Sequence, residues 1–346
     1  MVNIKIIGND AAQVNGGKTM KTRYKLLAIT LTILAIICGT LVYQEYWVKK
    51  TTISFTIAYQ DRVADLATII AAKLGYFEDE GLKNVRFMMF HSGPACAEAI
   101  IYGKADFGTM GDTTAIIATA TKEPVIKIIA SHGGGEHRHR IIARIGSGIK
   151  SLRDLVNKRI AIKKGTSTHG GLMLLEKAYD LNLEPYLIDM DPSDQLAALA
   201  AGSVDALVAS EPTPSIAEVK GYGYQVTTLG GLNNTYPILF VVRREFAEKH
   251  PDIVIKVLRA LIRGARFVRE HPEKAATILA EITGIPEKAI RRAMNYHYYN
   301  VTLDEKVINS LKVMASFLKE IGKIKELPRF NEVIDRRFLL EAVKTS

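Results

Sequence analysis

This chain writes one short phrase twice, about a hundred residues apart. Residues 97–109 read AEAIIYGKADFGT, and residues 196–209 read LAALAAGSVDALVA. Each copy is an apolar helix, a glycine that can end it in the left-handed conformation, and an aspartate (Asp106, Asp205) that opens an apolar strand. A polar turn and a new helix start follow each strand: Gly111-Asp112-Thr113-Thr114 in the first copy, Ser210-Glu211-Pro212-Thr213 in the second. Two similarly built α/β lobes in one chain leave a cleft between them. Clefts at domain interfaces, faced by helix N-termini, are where small ligands bind.

A length of 346 residues allows about two domains at the usual ~100–200 residues each. The net charge of +10 would raise the question of nucleic acid, but it is unevenly placed. Residues 1–50 hold seven Lys/Arg against two Asp/Glu, half of the excess. No dense basic run with interleaved aromatics follows, so a nucleic-acid partner is not expected. The two cysteines, Cys38 and Cys96, supply neither a disulfide framework nor a cysteine-based zinc site.

Residues 26–43, LLAITLTILAIICGTLVY, carry no charge and follow Lys18, Lys21, Arg23 and Lys25. The run is at the short end for a spanning helix and longer than the apolar region of an export signal. The upstream positive charge predicts a cytoplasmic segment 1–25, a signal-anchor transmembrane helix at 26–44 and an extracytoplasmic remainder. A cleaved signal and a lipoprotein modified at Cys38 are the alternatives, the latter opposed by Ile37 where a small residue belongs. Met20, just before the basic residues, is an alternative start.

Beyond residue 50 strands alternate with helices through connections too long for hairpins, which predicts two mostly parallel sheets flanked by helices. Strands are expected at 52–58, 85–90, 125–130, 140–145, 159–162 and 186–190. The expected first lobe is 52–142 plus 235–346, and the second is 143–234. From Arg244 the chain reads as helical, with Pro251, Pro272 and Pro286 at helix starts, packing on the first lobe. A lobe made of two segments joined by two crossings permits hinge closure.

The phrases LGYFEDEGL (74–82), SLRDLVNKRIAIKKGTSTHGGL (151–172), SVDALVASEP (203–212) and FVVRREFAEKHPDIVIKVLRALIRGARFVREHPEKAATILAEITGI (240–285) resemble one family. They look like the nitrate/sulfonate/taurine-type solute-binding proteins of ABC importers, a group that also contains thiamine-pyrimidine-precursor proteins. The resemblance runs in order from about residue 52 to about 320. It implies an α/β, two-lobed type II periplasmic-binding-protein fold. It also implies a small, oxyanionic solute, an ABC permease and a separate ATPase subunit as partners, and no cofactor. A monomer is expected.

Lys163 to His169, KKGTSTH, sits between a predicted strand and helix, where unpaired N–H groups carry about half a positive charge. Thr166, Ser167 and Thr168 could add hydroxyl donors, with His169 beside them, although one of these residues must cap the helix. In the resembled family the matching loop contributes to the ligand pocket. Ser92, Gly93, Asp112 and Thr113 occupy equivalent turns in the first lobe, where simple capping is the competing reading. A carboxylate at Asp112 aimed into the cleft would repel an anion and favour a zwitterion or cation. Gln60 follows the first strand as a candidate amide contact. Glu211 stands where many members of the resembled family carry an aromatic residue, which counts against a plain sulfonate or nitrate ligand.

Five histidines, His91, His132, His137, His139 and His169, fall at or after predicted strand ends. In SHGGGEHRHR (131–140) their spacing is a weak metal signal, and an exposed hinge loop is the preferred reading. Arg138 and Arg140 in that loop could instead meet an anionic ligand or the permease. No Walker A loop and no G-x-S-x-G elbow is present, so binding without chemistry is expected. An enzyme of thiamine-pyrimidine or menaquinone biosynthesis on the same fold, or a binding protein for a thiamine precursor, is the alternative.

Overall fold

The computed structural model describes Tyr24, Lys25, residues 27–40 and residues 53–345. Among the described residues no helix is long and apolar enough to cross a membrane. The expected anchor at 26–44 is described only over 27–40, which is helical and exposed. Lys18, Met20, Lys21 and Arg23 lie outside the described residues. A compact unit begins at Ser54, and it contains everything that follows.

Its strands are β1 (Phe55–Gln60), β2 (Val85–Phe90), β3 (Phe107–Gly111), β4 (Ile126–Gly133), β5 (His139–Arg144), β6 (Ile160–Ile162), β7 (Leu187–Asp189), β8 (Ala206–Ser210), β9 (Gly223–Thr228) and β10 (Ile238–Arg243). They form two five-stranded sheets, ordered β2-β1-β3-β10-β4 and β7-β6-β8-β5-β9. Both sheets are mixed. In the first, β10 runs against β3 and β4; in the second, β5 runs against β8 and β9. Each reversed strand is the one by which the chain enters that sheet from the other lobe.

The expected boundary at 142/143 falls inside β5, whose whole length pairs in the second sheet. The crossings are residues 134–138, after β4, and residues 229–237, before β10. The segment 131–140, expected as an exposed loop, is buried except at Glu136 and Glu136's neighbour His137. Its polar letters suggested solvent, but it threads between the lobes under the C-terminal part of the chain. There Ser131 N–H donates to Thr302 O (2.6 Å) and Gly134 N–H to Tyr298 O (3.1 Å).

The helices that matter for the site are α1 (Leu66–Lys73), α2 (Gly93–Ile101), α3 (Asp112–Thr119), α4 (Ser167–Tyr179), α5 (Pro192–Ala201), α6 (Thr213–Val219), α7 (Pro251–Glu270), α8 (Pro272–Thr283), α9 (Glu287–Met294) and α10 (Glu305–Glu320). Pro251 and Pro272 open α7 and α8, and Pro286 immediately precedes α9. Proline is tolerated there because the first N–H groups of a helix have no internal partner. Helix α7 packs on α1 so closely that a Cβ at Gly264 would collide with the Ala67 carbonyl. The last helices also hold the second lobe: Arg292 of α9 pairs with Glu218 of α6 at 2.9 Å, and Glu320 of α10 takes Lys177 of α4 at 2.7 Å.

In the first lobe Phe107 stacks on Phe240 across β3 and β10 at 5.8 Å, with Phe246 edge-on to Phe107 at 5.3 Å. Full burial of one such ring is worth about 1.5–3 kcal/mol. In the second lobe Ile142, Ala161 and Leu207 belong to a buried cluster built from smaller side chains.

Candidate functional site

The parallel strands of both sheets end on one cavity of about 260 Å³. Loops beyond the carboxyl ends of strands are where open α/β sheets bind ligands. Typical ligand clefts hold ~300–1,000 Å³, so this cavity suits a ligand of few atoms. Gln60 and Arg62 reach it from the end of β1, Ser92 and Gly93 from the start of α2, and Gly111 from the end of β3. The second lobe supplies Thr166, Ser167 and Thr168 at the start of α4, and Ser210 and Glu211 at the end of β8.

Seven of the ten residues singled out in the sequence therefore share one wall: Gln60, Ser92, Gly93, Thr166, Ser167, Thr168 and Glu211. Their polar atoms differ in freedom. Gln60 is buried and its Nε2 donates to Thr109 O at 3.2 Å. Thr166 is the cap of α4: its hydroxyl accepts from His169 N–H at 3.4 Å and donates to Lys163 O at 2.7 Å. Thr168 Oγ1 meets His139 Nδ1 at 2.8 Å. Ser167 Oγ is buried and unpartnered.

Asp112, Thr113 and His169 are not in the wall. Asp112 is fully buried, and its carboxylate accepts from Asn234 Nδ2 at 2.8 Å and from Thr113 N–H at 2.7 Å. It is turned toward the return crossing, and the repulsion expected from a carboxylate in the cleft does not arise. His169 Nδ1 accepts from Gly165 N–H at 3.3 Å, which leaves Nε2 to donate to Glu184 at 3.3 Å. Glu211 does line the cavity, but Arg140 Nη1 holds its Oε1 at 2.7 Å and Ser215 N–H its Oε2 at 3.2 Å.

Arg138, raised in the sequence only as one of two arginines that could meet an anionic ligand or the permease, and Arg62, not singled out, both line the cavity and change its chemistry. Arg138 is 0% exposed, lines the cavity and forms no ion pair among the described residues. Its Nε donates to Tyr236 O at 3.0 Å and its Nη1 to Ser210 Oγ at 2.8 Å, while Nη2 has no partner. A Cβ built on Gly111 would stand 3.8 Å from that nitrogen, so it lies in the angle between Gly111 and Ser167. Burial lowers the Arg138 pKa to about 9, and repulsion from Arg62 adds to the shift. Arg62 Nε is held by Asp65 Oδ2 at 2.9 Å, but its Nη2 is also buried without a partner. His139 is held well below the usual histidine range by burial and then by Arg138, so it is a neutral ring at this wall.

A buried guanidinium without a carboxylate is costly unless an anion completes it. Arg138 is such a group, and its free Nη2 and that of the Asp65-paired Arg62, in a cavity lined by hydroxyls and helix N-termini, make a receptor for an oxyanion. The sequence signal for Arg138 was its place between two crossing strands; Arg62 had only its position just beyond β1. The same cavity is also lined by the apolar side chains Leu196, Val208, Ile216 and Ile285.

The lobes are closed over this wall. Thr114 Oγ1 of α3 donates to Gly165 O of the other lobe at 3.0 Å. A Cβ at Gly111 would collide with Ser167 Oγ, although the Gly111 φ of −78° suits any residue. Glycine is required there by the close approach, not by its backbone.

The pattern of the NMT1/THI5-like family matches residues 65–275. The chain belongs to that family. It is 28% identical over 283 residues to a candidate aliphatic sulfonates-binding protein of Bacillus subtilis, covering 80% of this chain and 84% of that one. The taurine-binding periplasmic protein of Escherichia coli is 23% identical over 309 residues, covering 84% and 94%. Among solved structures, the alkanesulfonate-binding protein SsuA of Xanthomonas axonopodis pv. citri, bound to MOPS, superposes with a TM-score of 0.74. At 22% identity, and with 82% of this chain and 98% of that one covered, that likeness establishes a shared two-lobed fold.

Proposed function

We propose that this chain is the extracytoplasmic solute-binding component of an ABC importer, that it captures a small organic oxyanion of the sulfonate kind, and that residues 26–43 tether it to the membrane. The observation that carries the reading is Arg138, a fully buried guanidinium with no carboxylate partner and one unpartnered nitrogen at the cavity wall. Binding proteins among the relatives support transport over chemistry. A thiol enzyme finds no support at Cys96, which is buried outside the wall with its pKa pushed up by burial. The uncharged run and its basic flank support the tether.

The rest of the wall narrows the solute. A zwitterion such as taurine needs an acid for its ammonium, yet Glu211 is taken by Arg140, and Asp61 Oδ2 faces His91 at 3.2 Å. The apolar side chains Leu196, Val208, Ile216 and Ile285 suit an uncharged tail instead. The test is a thermal-shift and calorimetric comparison of 1-butanesulfonate, taurine and nitrate on the full chain in detergent. Ligand binding to the folded state raises the melting temperature by mass action. Butanesulfonate should bind at least tenfold more tightly than taurine or nitrate. If cations alone shift the melting point, the oxyanion reading is wrong.

A further inference from the structure

Arg138 lies in the first crossing between lobes, and its orientation is fixed by the second. The Tyr236 carbonyl that receives Arg138 Nε belongs to a fully buried tyrosine at φ +43°, a left-handed backbone that a bulky residue seldom adopts. Asn234, two residues earlier and 1% exposed, fixes the peptide that leads into it. Its Oδ1 accepts the Tyr236 N–H at 2.7 Å, the local side-chain turn that asparagine makes two residues ahead of itself. The same Oδ1 accepts from Ser310 Oγ of α10 at 2.6 Å, and its Nδ2 donates to Asp112 at the start of α3 at 2.8 Å. The amide is thus anchored on two elements of the first lobe. A second tie joins the crossings where Gly135 N–H donates to Thr235 O at 3.1 Å.

We propose that Asn234 is a positioning residue for solute capture: it anchors the Tyr236 N–H at the turn, so that the Tyr236 carbonyl aims Arg138 Nη2 between Gly111 and Ser167. Asn234 touches no solute in this arrangement and acts through Arg138. Asp112, which the sequence suggested as a ligand contact, serves the site indirectly by holding Asn234. Because the carbonyl sits on the return crossing, the aim of Arg138 also depends on the relation of the two lobes at the hinge. The inference rests on the oxyanion reading above.

The test is a double-mutant cycle on the full chain in detergent, with 1-butanesulfonate as the probe and calorimetry as the readout. Asn234→Ala should weaken binding about tenfold and Arg138→Gln at least a hundredfold. The double variant should bind no worse than Arg138→Gln alone, because a residue acting only through Arg138 has nothing left to position. A merely structural role would lower the melting temperature and add its penalty in full on either background. Full additivity, or unchanged affinity in Asn234→Ala, overturns the proposal while leaving the oxyanion reading intact. Should Asn234→Ala fail to fold, Ser310→Ala removes one anchor of the amide more gently. A severalfold loss that vanishes in the Arg138→Gln background then supports the proposal, and a loss that persists there overturns it. If the unaltered protein ignores every oxyanion, both readings fall together.

Discussion

The two lobes repeat one construction at the amino ends of their strands and differ at the carboxyl ends. In the first lobe Asp106 N–H donates to Thr56 O at 2.9 Å, and its carboxylate accepts Thr56 N–H at 3.0 Å and Arg243 Nη2 at 2.8 Å. In the second, Asp205 N–H donates to Arg159 O at 2.9 Å, and its carboxylate accepts Arg159 N–H at 3.0 Å and approaches Arg144 Nη2 at 3.7 Å. Arg243 and Arg144 end the two reversed strands, and each donates its own N–H to the aspartate carbonyl, at 2.7 and 2.9 Å. Where the strands end on the cavity the repetition stops. The first lobe offers Gly111 and turns Asp112 toward a neutral amide, whereas the second offers Ser210 and ties Glu211 to Arg140. The shared half of each lobe builds the sheet, and the half that diverged faces the cavity.

The largest expected effect separates Arg138, on the first crossing, from Arg140, two residues on in β5. Arg140 holds Glu211 and Glu218 at 2.7 and 2.6 Å; Glu218 keeps Arg292, but Arg140→Gln leaves the buried Glu211 without a cation and should cost about 3–5 kcal/mol of stability. Arg138→Gln removes a buried cation that has no such partner. The solute-free protein should therefore melt no lower than the unaltered one, while sulfonate affinity falls at least a hundredfold, about 3 kcal/mol. Calorimetry and thermal melts on the same samples check both. A large loss of stability in Arg138→Gln would erase the contrast.

Next comes closure, where the lobes meet at Gly111 and Ser167. Gly111→Ala keeps an allowed backbone but forces the lobes apart by the width of a methyl group. Solute affinity should fall about tenfold, or ~1.4 kcal/mol, with little change in the melting temperature of the solute-free protein. The matching change in the other lobe, Ser210→Ala, removes only an acceptor for Arg138 Nη1 and should cost less affinity. Equal losses at the two positions would mean that Gly111 is not a closure point.

Much of this arrangement was legible because it is local. The glycines of the repeated phrase do adopt left-handed backbones, at φ +70° for Gly103 and +74° for Gly202, and the prolines stand at helix starts. Ser92, Thr166 and Ser167 reach the cavity because a residue between a strand and a helix can only lie at the sheet's end. What could not be read is where a polar side chain finds its partner. Asp112 meets an asparagine 122 positions away, and Arg138 a carbonyl 98 positions away. The string HRHR reads as solvent-facing until residues 298 and 302 are known to cover the preceding turn.

Acid should also divide the molecule by region. Burial holds His132 near a pKa of about 4, against a partial pull upward from Asp65; burial and then Arg138 hold His297 near about 3 and lower His139 too. Groups whose folded pKa is depressed below the unfolded ~6.5 favour folding while neutral. Stability should therefore be intact above about pH 6.5 and fall as pH drops toward 4, because the unfolded chain takes up protons the folded one refuses. His297→Gln should flatten that slope by close to one proton, about 1.4 kcal/mol per pH unit, in melts between about pH 5.5 and 4. His169→Gln, in the second lobe, should flatten it less, since Glu184 draws that ring back toward its ordinary value.

The smallest effect tests the repetition itself. Asp106→Asn and Asp205→Asn each keep one oxygen able to accept a backbone N–H, and each lose a charge that meets arginine: Arg243 in one case, Arg159 and Arg144 in the other. Both aspartates are partly exposed, at 16% and 17% of the side chain, so solvent weakens the lost ion pairs. Each substitution should cost about 1 kcal/mol, and the two should add, since they sit in separate sheets. Neither should change sulfonate affinity, because both lie at the strand ends away from the cavity wall. Denaturant unfolding and calorimetry of the two single variants and the pair measure this directly. A selective loss of binding in one of them would show that the amino ends of the strands are not equivalent and that the scaffold half of one lobe also serves the solute.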